Sequence, residues 1–221
     1  MTDLSHRFAR PFRPEVLISP KHIKLSPLDN RPLFFEIGAG KGKHALLFAH
    51  DNPNKQLLAV ERTHEKITAF HKQLTNLACD NLYAIQADAI AFAVHYLPPN
   101  SLDGVFILYP NPEPHNKNQR WLNMPFFEFL ISRMKAGAKL TLVSNIAWYI
   151  DEAEEKLNNT WLLPYDKHQV ATDSARTHFE IKYLQRGETC TELNILKPNY
   201  YRTRFDDFCQ DISQTLIKPA V

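Results

Sequence analysis

Between residues 33 and 143, five short apolar runs alternate with stretches whose apolar residues recur at helical spacing, which restricts the chain to an α/β fold on a mostly parallel sheet. The runs span 33–37, 57–60, 82–85, 105–108 and 140–143. Each is brief and nearly continuous, as strands covered on both faces must be. Between them, Ile67, Phe70, Leu74 and Leu77 share one helical face, as do Ile90, Ala93, Val94 and Leu97, and then Phe127, Leu130, Ile131 and Met134. A helix is expected to begin near Lys43. Past Asn145 the pattern predicts a helix through Tyr149, Ile150, Ala153 and Leu157, then strands over 179–184 and 191–196 that give the doubly wound sheet an antiparallel end. A last helix is expected over 200–216.

No repeat, low-complexity tract or linker divides the chain, so the sequence predicts an arm of residues 1–31 and one domain over 32–221. In the arm, Arg7, Arg10, Arg13, Lys21 and Lys24 face only Asp3 and Glu15, and Pro11, Pro14 and Pro20 oppose helix formation. This reads as a flexible basic arm, with a solvated tail lacking any partner as the other reading. The net charge of +2 implies no nucleic-acid partner by itself. No apolar run approaches the roughly 20 residues that cross a bilayer, and the first residues lack the apolar centre of a signal peptide. Cys79, Cys190 and Cys209 form no Cys-x-x-Cys, against both a disulfide framework and a Cys-rich zinc site. A cytoplasmic protein with reduced thiols and no membrane partner is expected.

Parallel α/β sheets bind ligands outside the carboxyl ends of their strands. After the first run comes Glu36-Ile37-Gly38-Ala39-Gly40-Lys41-Gly42, a glycine turn leading into a helix start that offers amide donors. The third glycine arrives one residue earlier than in the dinucleotide fingerprint, and an acidic residue precedes the turn. That pattern suits S-adenosylmethionine, whose cationic methionine end a carboxylate such as Glu36 can orient and which has no pyrophosphate for it to repel. Glu61 closes the second run, where a carboxylate can accept from both ribose hydroxyls. Asp88-Ala89 follows the third run, where it can bond an adenine edge or cap the next helix. The fourth run opens into Tyr109-Pro110-Asn111-Pro112-Glu113-Pro114-His115, a proline-stiffened loop suited to holding an acceptor atom. His44, His64 and His71 do not have the spacing of a metal triad. Trp121, Trp148 and Trp161 can pack in the core or stack on a base.

Over roughly residues 33 to 197 the chain resembles the bacterial tRNA (guanine-N7) methyltransferase family. The resemblance is carried by the stretch 36–42, Glu61, Asp88-Ala89, Ser101-Leu102-Asp103, and Thr177-His178-Phe179-Glu180 followed by Gly187. It implies a Rossmann-like class I methyltransferase domain in which Glu36, Glu61 and Asp88 contact S-adenosylmethionine; Gly38, Gly40, Gly42, Ala89 and Asn111 complete the expected cofactor set. It also implies that Thr177, His178, Phe179 and Glu180 help to hold the target guanine of a tRNA.

The family's fourth-strand loop reads Pro-Asp-Pro-Trp-Pro and then a basic run. Here Asn111 replaces the acidic residue, Glu113 the tryptophan, and His115 a lysine; Ser144-Asn145 stands where Thr-Asp is usual. Asn111 is the expected catalytic position, since guanine N7 already carries a lone pair and needs alignment and cation stabilisation, with no base. His115, Lys117, Arg120 and Asn145 complete the expected RNA-facing set, with Lys182, Arg186 and the arm as further cations. A methyltransferase acting on an amino group, and a cofactor-binding module without turnover, are the alternatives.

Overall fold

A run that is apolar without alternation can satisfy both faces only inside a sheet, and in the computed structural model all five runs pair side by side. The structure describes residues 11–21, 23, 28–75, 77 and 79–209. Strands β1 (Leu33–Ile37), β2 (Gln56–Glu61), β3 (Leu82–Gln86), β4 (Leu102–Leu108) and β5 (Met134–Ser144) are parallel. Two further strands, β6 (Tyr165–Gln169) and β7 (Thr191–Leu196), pair with each other antiparallel, and β7 also runs antiparallel to β5. The order is β3-β2-β1-β4-β5-β7-β6. The chain therefore moves outward from β1 through β2 and β3, then returns to place β4 on the other side of β1. Ligands of such sheets bind at this reversal point.

Alternate residues of each strand serve opposite layers. Leu57 and Ala59 pack with α1 (Lys43–Asp51) and α2 (His64–Leu74), through Ala45, Ala49, Ile67 and Phe70. Leu58 and Val60 face the layer of α3 (Ala89–Tyr96), α4 (Phe126–Arg133) and α5 (Ala147–Lys156), through Phe92, Phe127, Leu130 and Tyr149.

The structure departs from the sequence expectations in four places. The segment predicted as a strand over 179–184 is helix α6 (His178–Gln185). Thr177 caps it, its Oγ1 accepting from the Glu180 amide at 2.9 Å, and this local closure outweighs the β-like composition of Phe179-Glu180-Ile181. The Thr-x-x-Glu signature of a helix start was legible in the sequence. β6 went unseen because its residues Tyr165-Asp166-Lys167-His168-Gln169 are mostly exposed and polar; an edge strand needs no apolar run when a neighbour supplies its hydrogen bonds. Leu77, Leu97, Met134 and Leu157 lie outside the α-helices expected to include them: Leu77 is exposed beyond α2, Leu97 is the extended residue that ends α3, Met134 opens β5, and Leu157 begins a π-helical turn after α5.

The fourth concerns the two ends. Residues 1–10, 22 and 24–27, with Arg7, Arg10 and Lys24, lie outside the described residues, as do 210–221. Residues 11–20 are docked. Phe12 packs among Phe126, Phe129 and Phe205, and the carbonyls of Leu17 and Pro20 accept from His95 and Tyr96. Between 200 and 209 the chain makes turns where a helix was expected. Arg204 pairs with the fully buried Glu128, and the buried Arg133 donates to the carbonyls of Phe205 and Phe208. These side-chain bonds occupy backbone carbonyls that a continuing helix would need for itself.

Among the described residues no helix is long and apolar enough to cross a membrane.

Candidate active site

At the reversal point, β1 ends in the glycine turn. Gly38, Gly40 and Gly42 all have positive φ, at 75°, 59° and 83°. Their demands differ. A Cβ on Gly42 would lie 2.1 Å from the buried Phe70 ring, so this glycine seats α1 against α2, whereas a Cβ on Gly38 or Gly40 would meet nothing within 4 Å. Those two leave open space above their backbone.

Glu61 latches the turn from the tip of β2. One oxygen accepts from the Gly40 amide at 3.0 Å and the other from the Thr63 amide at 2.7 Å. Burial pushes its carboxyl up, but hydrogen bonds from Thr63, the nearby Lys66 charge and the Gly40 amide outweigh burial and hold it below the usual value. It is therefore ionised at neutral pH, with lone pairs left for further donors. Glu36 is engaged inward, its Oε2 lying 2.9 Å from Nδ1 of the buried His44, whose ring meets Phe106 edge-on. This pair is a site feature the sequence reading missed; His44 eight residues after Glu36 gave no motif to find it by.

Asp88 caps α3, one carboxylate oxygen accepting from the amides of Ile90 and Ala91. Its side chain stands at the end of β3, where an open cleft of about 620 Å³ is lined by Asp88, Ala87 and Gln86 together with Arg62, His71 and Pro20, while Ala89 packs against the core. That size suits a small-molecule ligand.

Across the reversal point, β4 opens into a loop pinned at both ends. Tyr109 and Glu113 adopt left-handed backbone, at φ 52° and 48°, costing roughly 1–2 kcal/mol each and persisting because neighbours over-determine them. The Tyr109 amide donates to Val143, and its hydroxyl to Glu180 at 2.8 Å. Arg120 grips the far end, donating to the carbonyls of Pro112, Glu113 and Pro114 while pairing with Glu152 and stacking 4.5 Å over Trp148. In between, the exposed Asn111 donates through Nδ2 to Glu113 at 2.7 Å. Asn145, at the tip of β5, donates likewise to Glu188 at 2.6 Å.

The remaining expected residues separate. Glu180 is fully buried, receiving five hydrogen bonds from Ser174, Arg176 and Tyr109. His178 and Phe179 are exposed on α6, Phe179 stacked on Tyr183. His115, the last residue of the loop, and Lys117 beyond it are exposed. Arg120 is consumed by the loop itself, and Trp148, half-exposed beside it, lies outside the core in which Trp161 is buried.

A family model described as "Putative methyltransferase" matches residues 30–193. A tRNA (guanine-N(7)-)-methyltransferase of Nitrosospira multiformis is 34% identical over 161 residues, covering 71% of this chain and 69% of the relative. One of Methylobacillus flagellatus is 31% identical over 169 residues, covering 72% and 69%. The chain belongs to the tRNA (guanine-N7) methyltransferase family. Among solved structures, an antibiotic-related methyltransferase superposes with a TM-score of 0.56 at 15% identity, covering 79% of this chain and 95% of its own. A phosphoethanolamine N-methyltransferase of Haemonchus contortus, in complex with S-adenosylmethionine, reaches 0.53 at 13% identity, covering 78% and 50%. At these identities the likeness is one of fold.

As a member of this family the protein is an S-adenosylmethionine-dependent methyltransferase, and its own residues fit that cofactor. The backbone at Gly38 and Gly40 faces open space, an ionised carboxylate with spare lone pairs stands at the tip of β2, and a cleft opens at the tip of β3.

Proposed function

We propose that the protein methylates N7 of a guanine in tRNA, with the cofactor across the tips of β1, β2 and β3 and the base against the β4 loop. The observation that carries this reading is the pairing of an open glycine turn, latched by Glu61, with a loop held rigid by Tyr109 and Arg120 on the neighbouring strand. Gly38 and Gly40 admit the methionine end, Glu61 accepts from the ribose hydroxyls, and Asp88 with Ala89 borders the adenine. Gly42 shapes the turn. Glu36, held by His44, adds negative potential beside the cationic end. Bound S-adenosylmethionine supplies a methyl group on a positively charged sulfur.

The acceptor nitrogen already has its lone pair, so the chain has no proton to remove; its task is alignment and stabilisation of the cation formed. The rigid loop serves the first. Asn111 lines the acceptor side, and Asn145 with Thr177, His178 and Phe179 borders the same end of the sheet. Glu180 acts by clamping Tyr109. Lys117 and His115, with Lys182 and Arg186, offer contacts to tRNA phosphates. A tRNA substrate supports a cytoplasmic reaction.

The test is methyl transfer from labelled S-adenosylmethionine to tRNA lacking 7-methylguanosine, followed by nucleoside analysis. Label in 7-methylguanosine is expected. Label in a methylated amine, or tight binding of S-adenosylhomocysteine with no transfer to any acceptor, would replace this reading with one of the alternatives.

A further inference from the structure

The two positions where amides stand in place of the family's carboxylates behave alike. Asn111 at the tip of β4 donates to Glu113, and Asn145 at the tip of the adjacent strand β5 donates to Glu188, at 2.7 and 2.6 Å. Each amide thus holds a carboxylate one side chain further out. Glu113 is fixed a second time through its backbone: φ is 48°, and Arg120 binds its carbonyl. The Arg120 charge is itself paired with Glu152, and Arg186 lies 3.9 Å from Glu188. Glu180 cannot serve the base in this arrangement, because its two oxygens already accept five hydrogen bonds. Glu113 and Glu188 have each been given one amide donor and keep lone pairs to spare.

We propose that the negative charge of the acceptor site has been relocated, not lost: Glu113, oriented by Asn111, faces the acceptor base, and Glu188, held by Asn145 in the segment between α6 and β7, supports it. A carboxylate there has two uses. It accepts from the N1–H and exocyclic N2–H groups by which guanine differs from adenine, and it stabilises the positive charge that spreads over the imidazole ring once N7 is alkylated. Asn111 is then a positioning residue, its amide spent on aiming Glu113. This rests on the reading of the acceptor as guanine N7 in tRNA.

Three variants test it: Glu113→Gln, Glu188→Gln, and the exchange Asn111→Asp with Glu113→Gln, which keeps one carboxylate and one amide but swaps their places. Melting temperature is expected to stay at the wild-type value in all three, and S-adenosylhomocysteine affinity by calorimetry in the two single variants. Glu113→Gln should lower kcat on the order of 10²-fold with KM for tRNA nearly unchanged, Glu188→Gln should lower it less, and the exchange should recover at least about a tenth of wild-type kcat. Retention of kcat within about threefold by Glu113→Gln overturns the proposal, and so does an exchange variant no faster than Glu113→Gln, because a carboxylate returned to position 111 would then replace nothing that Glu113 supplies. Wild-type protein that transfers no methyl group to tRNA guanine overturns the parent reading before any variant is made.

Discussion

Replacing Glu180 by glutamine separates a clamp from a base contact. The carboxylate is fully buried; one oxygen accepts from Ser174 Oγ, Arg176 N and Arg176 Nε, the other from Tyr109 and a second Arg176 guanidinium nitrogen. Glutamine keeps one acceptor oxygen and sets an NH2 group against donors, so at least two of the five lose their partner. Breaking a buried ion pair costs about 3–5 kcal/mol. Arg176 is one-third exposed and retains Glu192 at 2.6 Å, which places the cost near the lower end, about 3 kcal/mol. For a chain of this length that lowers Tm by roughly 6–12 °C. Burial alone would raise the Glu180 carboxyl above 4.5, but hydrogen bonds from Arg176, Ser174 and Tyr109 outweigh it and hold it lower. A carboxyl depressed in the folded state contributes fully above its unfolded value and loses that contribution as pH falls through its folded value. The gap between wild type and variant should therefore be full at pH 7 and narrow below about pH 4.5. Urea unfolding at both pH values reads it. A gap under about 1 kcal/mol at pH 7, together with a collapse of tRNA methylation, would mean that Glu180 touches the base and clamps nothing.

Two further substitutions follow from the same geometry. Gly42→Ala forces a Cβ into the Phe70 ring at φ 83° and should destabilise by about 2–5 kcal/mol, whereas Gly40→Ala meets only backbone strain of roughly 1–2 kcal/mol and should chiefly abolish S-adenosylhomocysteine binding; denaturation and calorimetry on both variants distinguish them. Arg120→Ala should lower kcat about tenfold while leaving the salt dependence of tRNA binding unchanged, because its guanidinium is spent on the loop; Lys117→Ala should reduce that salt slope by about one, and filter binding across a salt series would expose the opposite pattern.

What could be read from residues alone follows from local rules. The five parallel strands announce themselves as unbroken apolar runs because both their faces are buried, and the glycine turn, Glu61 and Asp88 were legible as residues at successive strand ends, where such sheets hold ligands and where the fold places them. The Asn111 and Asn145 replacements were equally visible. What the sequence could not supply is the partner of each polar side chain, since those partners are distant in the chain. Arg120 has the composition of a phosphate contact and becomes a loop anchor only because Glu152 and Trp148 arrive from α5. The Thr-His-Phe-Glu stretch gives no sign that Tyr109, 71 residues earlier, donates to Glu180. Nothing local to Glu188 announces its hydrogen bond from Asn145, 43 residues earlier. Even β6 exists by virtue of β7, its own residues being polar and exposed. Apolar burial is a property of periodicity and can be read locally, whereas a hydrogen bond needs a direction and a distance, and only the folded chain sets those.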